Sequence, residues 1–300
     1  MRDGVLCIDK PSGHTSFDVI ARMRGILKTR KLGHAGTLDP MATGVLPVFI
    51  GRATKACDIL PNQDKRYQAT FRLGITTDTQ DSTGTILRTR PVTVGEEEIR
   101  RAVAAFVGEQ QQLPPMYSAV RVDGVHLYDL AREGREVERQ ARQITVYSME
   151  VLDIRGDQVT VEVHCSKGSY VRTLCNDIGE RLGCGAALTA LRRTMAAGYT
   201  LKDALTLEQL TRIMEEGRVD DYILPVDKVF ETLPAITLSE KAGRLYKNGV
   251  KLDYRRLRVE ETDQDIRVYG RDGTFLGVSY LDRESGELRL RKLFSIIQEN

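Results

Sequence analysis

Residues 33–44 are the feature that most constrains this chain, because they place one carboxylate, Asp39, among glycines and small residues. Glycine serves where the backbone needs unusual dihedral angles or approaches a ligand closely. Pro40 fixes its own φ and pushes Asp39 away from helical geometry, which predicts a shaped loop. An ionised Asp39 beside Leu38 and Pro40 is poorly hydrated, so with a cation to hold it, it would suit nucleophilic chemistry. The same residues are also typical of an ordinary turn, and the loop alone leaves that alternative open.

The composition sets the class of protein. A length of 300 residues fits one large or two modest domains, and 41% hydrophobic with 29% charged residues is typical of a soluble globular protein. The apolar run at the N-terminus is too short for a signal peptide, and no apolar run in the chain reaches the length of a membrane span. We therefore expect a cytoplasmic protein without a membrane partner. The five cysteines include no Cys-x-x-Cys pair and the four histidines are scattered, so we expect no metal.

The distribution of charge is more informative than the net charge of +2. A run without any acidic residue precedes the Asp39 loop and contains Arg22, Arg24, Lys28, Arg30 and Lys31. Two further basic clusters lie near the C-terminus: Lys251, Arg255, Arg256 and Arg258, and then Arg289, Arg291 and Lys292. Such runs are most often solvated faces, but a cluster beside a candidate catalytic loop favours a polyanionic partner.

Hydrophobic periodicity predicts the secondary structure. Alternating or continuous apolar runs predict strands over residues 5–8, 44–50, 65–74, 144–154 and 159–165. Helical spacing predicts helices over residues 96–107, 169–182 and 207–215. It also predicts a helix that Ser16 caps and that turns Phe17 toward the core. Pro47 predicts that its strand lies at an edge or contains a bulge. Residues 76–85 are predicted to form a polar loop.

The pattern changes in the last quarter of the chain. A short helix over 239–248 and strands over 266–269, 275–280 and 288–293 predict a small, mainly β module. We therefore divide the chain into residues 1–230 and 231–300. Residues 127–142 are dense in charges of both signs, which is typical of an exposed helix and loop or of an arm that orders on a partner.

Common catalytic motifs are not found. The chain has no Gly-x-Ser-x-Gly elbow, and no histidine is placed where the sequence would pair it with a nucleophile. Residues 33–36 lack the Lys-Ser/Thr of a P-loop, and residues 179–185 do not form a dinucleotide fingerprint.

Several motifs nevertheless occur in a fixed order between residues 3 and 200. They occupy residues 3–16 (DGVLCIDKPSGHTS), 33–40 (GHAGTLDP), 42–46, 53–55, 65–67 (KRY), 112–119 (QLPPMYSA), 128, 131–134, 167–174 (KGSYVRTL) and 191–194 (LRRT). Together they closely resemble the TruB family of tRNA pseudouridine synthases.

The resemblance implies a fold and a reaction. The fold would be α+β, with a catalytic domain built on a mixed, largely antiparallel sheet flanked by helices, a thumb-like insertion at about 120–143, and a PUA-type C-terminal domain. The reaction would convert uridine 55 in the TΨC arm of tRNA to pseudouridine by base flipping. The resemblance implies no metal or cofactor, no guide RNA and a monomer.

The resemblance also implies three catalytic residues. Asp39 matches the family's catalytic aspartate, a nucleophile that attacks either the base or the sugar. Arg172 matches the arginine that pairs with this aspartate, and a bidentate guanidinium would orient the carboxylate and favour its ionised form. Tyr67 matches a tyrosine that stacks on the target base, with proton transfer by its hydroxyl left open.

The remaining implied residues bind substrate. Tyr170 and Leu191 match residues that line the uracil pocket, and His34 matches the histidine that fills the RNA loop when the target nucleotide leaves it. Lys10 and Pro11 match a pair near the floor of the site, where a structural role is the alternative.

The chain departs from the family pattern at two positions. Ala187 stands where the family commonly has histidine, and Arg121 stands where lysine is frequent.

Two alternative functions remain. One is an RNA-binding or folding protein without useful catalysis, and the other is the catalytic subunit of a guide-RNA particle.

Overall fold

The apolar alternation of the chain builds one large sheet. The computed structural model describes residues 2–61, 63–257 and 259–295, so Arg258 of the second basic cluster lies outside the described residues. The first fourteen strands, in chain order, are β1 Gly4–Lys10, β2 Leu32–His34, β3 Thr43–Ile50, β4 Lys65–Leu73, β5 Ile75–Thr77, β6 Ile86–Thr89, β7 Gly108–Gln112, β8 Arg121–Val122, β9 Val125–His126, β10 Arg142–Arg155, β11 Gln158–Cys165, β12 Ala186–Ala196, β13 Tyr199–Thr200 and β14 Ala204–Leu205. Ten of them form a sheet in the order β14-β1-β3-β12-β4-β11-β10-β7, with β2 paired to β3 and β13 paired to β12.

Helices flank this sheet. In chain order they are α1 Ser16–Leu27, α2 Glu96–Ala104, α3 Leu127–Arg132, α4 Val171–Arg181, α5 Leu207–Glu215 and α6 Val219–Tyr222. A further helix, α7 Glu240–Lys247, packs in the apolar cluster of the C-terminal segment. Shorter 3-10 helices occupy Gly51–Asp58, Leu201–Asp203, Val226–Phe230 and Tyr254–Leu257. The strand pairs β1–β14 and β3–β12 are parallel, and the other pairs in the large sheet are antiparallel. The predicted α+β fold with a mixed, largely antiparallel sheet is confirmed.

Two apolar clusters fix these helices to the sheet. Helices α1 and α5 share a cluster with β1 and β3, and helices α2 and α4 share one with β4, β10, β11 and β12. Met23 and Leu210 are buried in the first cluster, and Leu174 and Phe71 are buried in the second. Each such fully buried side chain contributes about 1.5–3 kcal/mol relative to an exposed one. The burial therefore holds both the Asp39 segment and Arg172 to the same sheet.

The residue that caps helix α1 is one position earlier in the chain than predicted. Thr15 is the N-cap: its hydroxyl accepts a hydrogen bond from the backbone N–H of Asp18 at 3.0 Å, and its backbone N–H donates to the Asp18 carboxylate at 2.8 Å. The prediction of Ser16 as the cap is wrong, because this capping box already satisfies the first turn. The prediction for Phe17 is also wrong. Its side chain is 66% exposed, and Val19 and Ile20 face the core instead.

Pro47 lies inside the sheet and not at an edge, so that prediction is wrong. Strand β3 pairs with β1 along its whole length, while on its other side residues 48–50 pair with β2 and residues 43–44 pair with β12. Pro47 lies where this second side changes partner, and its carbonyl accepts from the N–H of Ala35 at 3.1 Å. A residue directs its N and its C=O to the same side of a strand, so the missing N–H costs no ladder bond there.

The C-terminal segment forms a second sheet. Its strands are β15 Ala235–Thr237, β16 Leu252–Asp253, β17 Ile266–Tyr269, β18 Phe275–Asp282 and β19 Glu287–Leu293, in the order β15-β17-β18-β19-β16. The rings of Phe230, Phe275 and Phe294 contact one another and share a core with Ala53 and Ala56 of the first part of the chain. The division at residue 231 and the PUA-type assignment stay predictions. None of the helices in the described ranges is long and apolar enough to cross a membrane.

Candidate active site

The loop that carries Asp39 joins β2 to β3, and side chains from the N-terminal segment hold its backbone. The N–H of Leu38 donates to the buried Ser16 hydroxyl at 2.9 Å. The hydroxyl of Ser12 donates to the carbonyl of Met41 at 3.2 Å. Helix α1 thus positions the Asp39 loop through Ser16. The sequence pattern had predicted a different role for Ser16, that of the helix cap.

Lys10 closes the floor of this loop. Its side chain is fully buried, and its ammonium donates to the carbonyls of Pro11 at 3.0 Å, His14 at 2.5 Å and Pro40 at 3.2 Å. Burial lowers the pKa of Lys10 to about 8, and the nearby charge of Asp39 opposes that shift. All three ammonium protons are engaged by the chain's own carbonyls, which favours the structural role over a contact with substrate. Its assignment to substrate binding stays a prediction.

Arg193 supports the loop from the sheet. Its guanidinium donates from Nε to the carbonyl of Val45 at 2.7 Å, from Nη2 to Gly36 at 3.0 Å and from Nη1 to Thr37 at 3.5 Å. Gly44 ends the loop with φ +104°, and a Cβ there would lie 2.2 Å from the Arg193 carbonyl oxygen. Only glycine allows β3 to pass this close to β12.

Asp39 and Arg172 form an ion pair, as the resemblance implied. One nitrogen, Nη2, contacts both carboxylate oxygens, at 3.1 Å and 3.0 Å, so two nitrogens do not form the expected fork. The side chain of Arg172 is 7% exposed and that of Asp39 is 38% exposed. The cation is therefore held inside the protein, and the carboxylate is presented at the surface of the site.

A second carboxylate, missed from the sequence, shares Arg172. Asp81 lies with its Oδ2 3.7 Å from Nη1 of Arg172 and is almost fully buried. Its Oδ1 accepts hydrogen bonds from the Thr79 hydroxyl at 2.8 Å and from the Thr83 hydroxyl and N–H at 2.5 Å and 2.9 Å. The predicted polar loop over residues 76–85 is present from residue 78 on, while residues 76 and 77 belong to β5. The loop buries an acid, because these bonds compensate its charge.

The surroundings of Asp39 shift the pKa of its carboxyl in opposite directions. Burial raises the pKa of the Asp39 carboxyl, and the charge of Asp81 raises it further. Arg172 and Lys10 lower it. The two cations thereby favour the ionised form that a nucleophile needs.

Tyr67 and Leu191 lie beside the loop in one apolar cluster with Leu38. Tyr67 is buried on β4, directly opposite Arg193 on β12, so the guanidinium lies close to the tyrosine side chain. Burial raises the pKa of Tyr67 to about 12, while Arg193 opposes the rise. The structure thus brings an aromatic face, a leucine and the Asp39 loop together.

Tyr170 and His34 complete the predicted set. Tyr170 is the N-cap residue of α4, and the Gln112 side chain binds its backbone on both sides, at 2.8 Å from the N–H and 3.1 Å from the carbonyl. The Tyr170 ring centroid lies 5.9 Å from Cζ of Arg172. His34 is half-buried, and its Nδ1 has no hydrogen-bond partner among the described residues. Burial and the charge of Arg193 lower the pKa of His34, which favours the neutral ring.

The resemblance implied the ion pair and its apolar neighbours but not the supporting residues. The missed residues are Ser16, Asp81, Gln112 and Arg193. Ser16, Gln112 and Arg193 lie inside the family motifs, which was the available signal, whereas nothing in the sequence indicates that Asp81 is buried. Within the described ranges no three His, Cys, Asp or Glu side chains are grouped as a metal site would require. The expected absence of a metal and cofactor stays a prediction.

Comparison with known proteins places this geometry in a family. Residues 24–171 match the N-terminal domain of TruB family pseudouridylate synthase, and residues 172–231 match the tRNA pseudouridylate synthase B C-terminal domain. The chain belongs to the TruB family of pseudouridylate synthases. As a member of that family it is an enzyme, an isomerase that converts uridine to pseudouridine.

Named relatives extend the match over nearly the whole chain. A tRNA pseudouridine synthase B from Clostridium perfringens (strain 13 / Type A) is 43% identical over 290 residues, 95% of this chain and 97% of the relative. One from Aromatoleum aromaticum is 45% identical over 296 residues, 98% of this chain and 94% of the relative.

Solved structures share the fold. A chain of a Cbf5-Nop10-Gar1 complex has a TM-score of 0.76 and 27% identity, with 97% of this chain and 85% of that chain covered. A chain of an H/ACA RNP bound to a substrate RNA containing 2'-deoxyuridine has a TM-score of 0.75 and 25% identity, with coverage of 98% and 86%.

Proposed function

We propose that this chain acts alone on tRNA and isomerises uridine 55 of the TΨC arm, with Asp39 as the nucleophile. The observation that carries the proposal is the Asp39–Arg172 pair, in which a buried cation holds a carboxylate that stays 38% exposed. The relatives are named for tRNA, and the TΨC position rests on the resemblance of the motifs.

The chemistry requires the base to be held while it is detached. The N1–C1′ bond breaks, the uracil turns, C5 joins C1′, the C5 hydrogen leaves as a proton, and N1 takes up a proton. A carboxylate nucleophile can hold the system by bonding either to the base or to the sugar. The Asp39 carboxylate is accessible enough for either route, so both stay open.

The neighbours of Asp39 fit a flipped uridine. Tyr67, Leu191 and Tyr170 would contact the extruded base, with Tyr67 stacking on it. A neutral His34 would fill the space that the base leaves in the RNA loop, where stacking offsets part of the few kcal/mol of unstacking. We assign no substrate contact to Lys10 in this proposal, because carbonyls of the chain occupy its donors.

Other parts of the chain would bind the rest of the tRNA. In this proposal the basic face of α1 contacts phosphates, the segment 120–143 closes over the RNA as a thumb, and residues 231–300 form a PUA-type domain. The enzyme would work in the cytoplasm as a monomer, without guide RNA or cofactor. The solved neighbours come from multi-protein RNA complexes, so independence from guide RNA needs a direct test.

The deciding experiment is tritium release from a tRNA transcript that carries 5-tritiated uridine, with no guide RNA added. We expect the wild type to release tritium and Asp39→Asn to release none. Asp157→Asn is the matched control, because Asp157 is also an arginine-paired aspartate, with a similarly exposed side chain (40%), and it pairs with Arg72 at 2.7 Å. Release by Asp39→Asn at the wild-type rate would remove Asp39 from catalysis.

Two other outcomes address the alternatives. No release by a folded, tRNA-binding wild type would contradict the proposal and favour a missing guide RNA or a binding function. tRNA refolding that survives Asp39→Asn would show that a folding activity is separable from catalysis. Replacing uridine 55 alone in the transcript tests the position, since release should then disappear.

A further inference from the structure

Arg193 is a buried cation without an acidic partner. Its side chain is fully buried, and no carboxylate in the described ranges lies within 4.0 Å of its guanidinium. Burying an unpaired charge is costly unless hydrogen bonds compensate it. Burial correspondingly lowers the pKa of Arg193. Since apolar side chains could fill the same space, the sheet alone does not require a guanidinium here.

The acceptors of Arg193 belong to both halves of the site. Carbonyls of the Asp39 loop, at Gly36 and Thr37, accept from its two terminal nitrogens, and the β3 carbonyl of Val45 accepts from Nε. Tyr67 lies directly opposite Arg193 in the β4–β12 register, so the two side chains are neighbours on one face of the sheet, and the charge of Arg193 acts on the Tyr67 hydroxyl. One rigid, planar group therefore connects the loop that carries Asp39 to the strand that carries Tyr67.

The neighbouring guanidinium constrains the Tyr67 hydroxyl. A guanidinium carries donors and no acceptor, so the phenolic proton is directed away from Arg193. The adjacent positive charge also makes negative charge on that oxygen less costly. Both effects bear on a hydroxyl that lies next to the reacting base in the proposed function.

We propose that Arg193 is a positioning residue, which sets the distance between the Asp39 loop and Tyr67 and acts on the reaction through the Tyr67 hydroxyl. This inference rests on the proposed function. The alternative is that Arg193 only stabilises the fold, in which case its replacement changes the amount of folded enzyme and not the turnover of each folded molecule.

Arg193→Lys tests the inference, because lysine keeps the charge but cannot serve the loop carbonyls and the Tyr67 hydroxyl together. The test measures the single-turnover rate of tritium release and the Kd for tRNA. Each variant is assayed at a temperature 10 °C below its own unfolding midpoint, so that it is folded in the assay. We expect a loss of about 100-fold in the rate, the scale of a 1 Å misplacement, with Kd within about threefold. Arg192→Lys is the matched control, since the neighbouring Arg192 is half-exposed and pairs with Asp9 at 2.7 Å. It should keep the rate within about threefold.

A double-mutant cycle with Tyr67→Phe separates an effect through the Tyr67 hydroxyl from a purely structural effect. Tritium release is followed for a day so that slow rates are measured. Because the hydroxyl is then absent, Arg193→Lys should cost less than about tenfold in the Tyr67→Phe background. If Arg193→Lys does not fold, Arg193→Gln replaces it in every assay.

Three results would overturn the inference: a wild-type rate in the folded variant, an equal loss in both backgrounds, or an equal loss in Arg192→Lys. The wild type in the same assay reports on the proposed function. Its release of tritium shows that the function holds even where the inference about Arg193 fails.

Discussion

The Asp39 loop and the thumb-like segment 120–143 are held in opposite ways. The loop is fixed by bonds to residues far away in the chain: Ser16 is 22 residues from Leu38, Lys10 is 30 from Pro40, and Arg193 is 157 from Gly36. Side chains of the thumb-like segment bond mainly to near neighbours, as in Arg121 to His126 and Arg139 to Glu136.

The burial of the two regions differs as well. In the thumb-like segment Leu127 and Leu130 anchor helix α3, while most of the charged residues that follow are exposed. Segments with few buried apolar contacts open at low free-energy cost. The comparison fits the proposed function, in which a preorganised nucleophile acts together with an arm that adapts to RNA. We expect substitutions in the loop to change the rate and substitutions in the arm to change affinity.

The largest expected effect tests the rigid side of this comparison. Arg172→Lys should slow single-turnover release by about 100-fold, because an ammonium cannot contact Asp39 and Asp81 together. The Kd for tRNA should stay nearly unchanged. Arg139→Lys makes the same change in the thumb-like segment and should stay within about threefold of the wild-type rate. Near-normal turnover in Arg172→Lys would remove Arg172 from the catalytic assignment.

Two buried serines give a comparison of stability. Ser16→Ala leaves the buried N–H of Leu38 without its acceptor, and we expect the free energy of unfolding to fall by about 1–3 kcal/mol. Ser118, at the base of the thumb-like segment, is also buried, but its hydroxyl has no hydrogen-bond partner in the described part of the chain. Ser118→Ala should therefore be nearly neutral. Denaturant unfolding measures both variants, and equal losses would contradict the assigned role of Ser16.

The basic face of α1 should govern affinity more than rate. Replacing Arg22, Arg24 and Lys28 by glutamine should flatten the slope of log Kd against log salt by about 2, since each cation that contacts a phosphate releases a counterion. Arg155→Gln, at the exposed β10–β11 turn, is the control and should leave the slope unchanged. An unchanged slope in the triple variant would show that this face is only solvated.

The smallest effect concerns pH. If ionised Asp39 is required, kcat/KM falls as pH falls through its pKa in the free enzyme. The charge of Asp81 raises that pKa, so Asp81→Asn should move the acid limb to lower pH. A thumb substitution such as Glu133→Gln, in an exposed pair with Arg135, should leave the limb in place. A limb that moves to higher pH in Asp81→Asn would contradict the electrostatic assignment.

Local patterns predicted the elements whose cause is local. The strand over Ile266–Tyr269 and helix α5 occur as expected, because alternation and helical spacing depend on residues a few positions apart. A Thr206–Gln209 capping box, also a local feature, opens α5. The predictions were wrong where a local sequence rule was compatible with two structures. Thr15 and Ser16 can both cap a helix, and Pro47 suits an edge or a change of strand partner.

The order of the motifs predicted the family, and the resemblance paired Asp39 with Arg172. The folded chain was needed to show that Asp81 shares Arg172, that Lys10 faces carbonyls of its own chain, and that Arg193 connects the loop to the strand of Tyr67. The physical reason is separation: Arg172 lies 133 residues from Asp39, and periodicity reports which face of an element is buried. It does not report which polar groups meet there, because that depends on how distant strands align in one sheet.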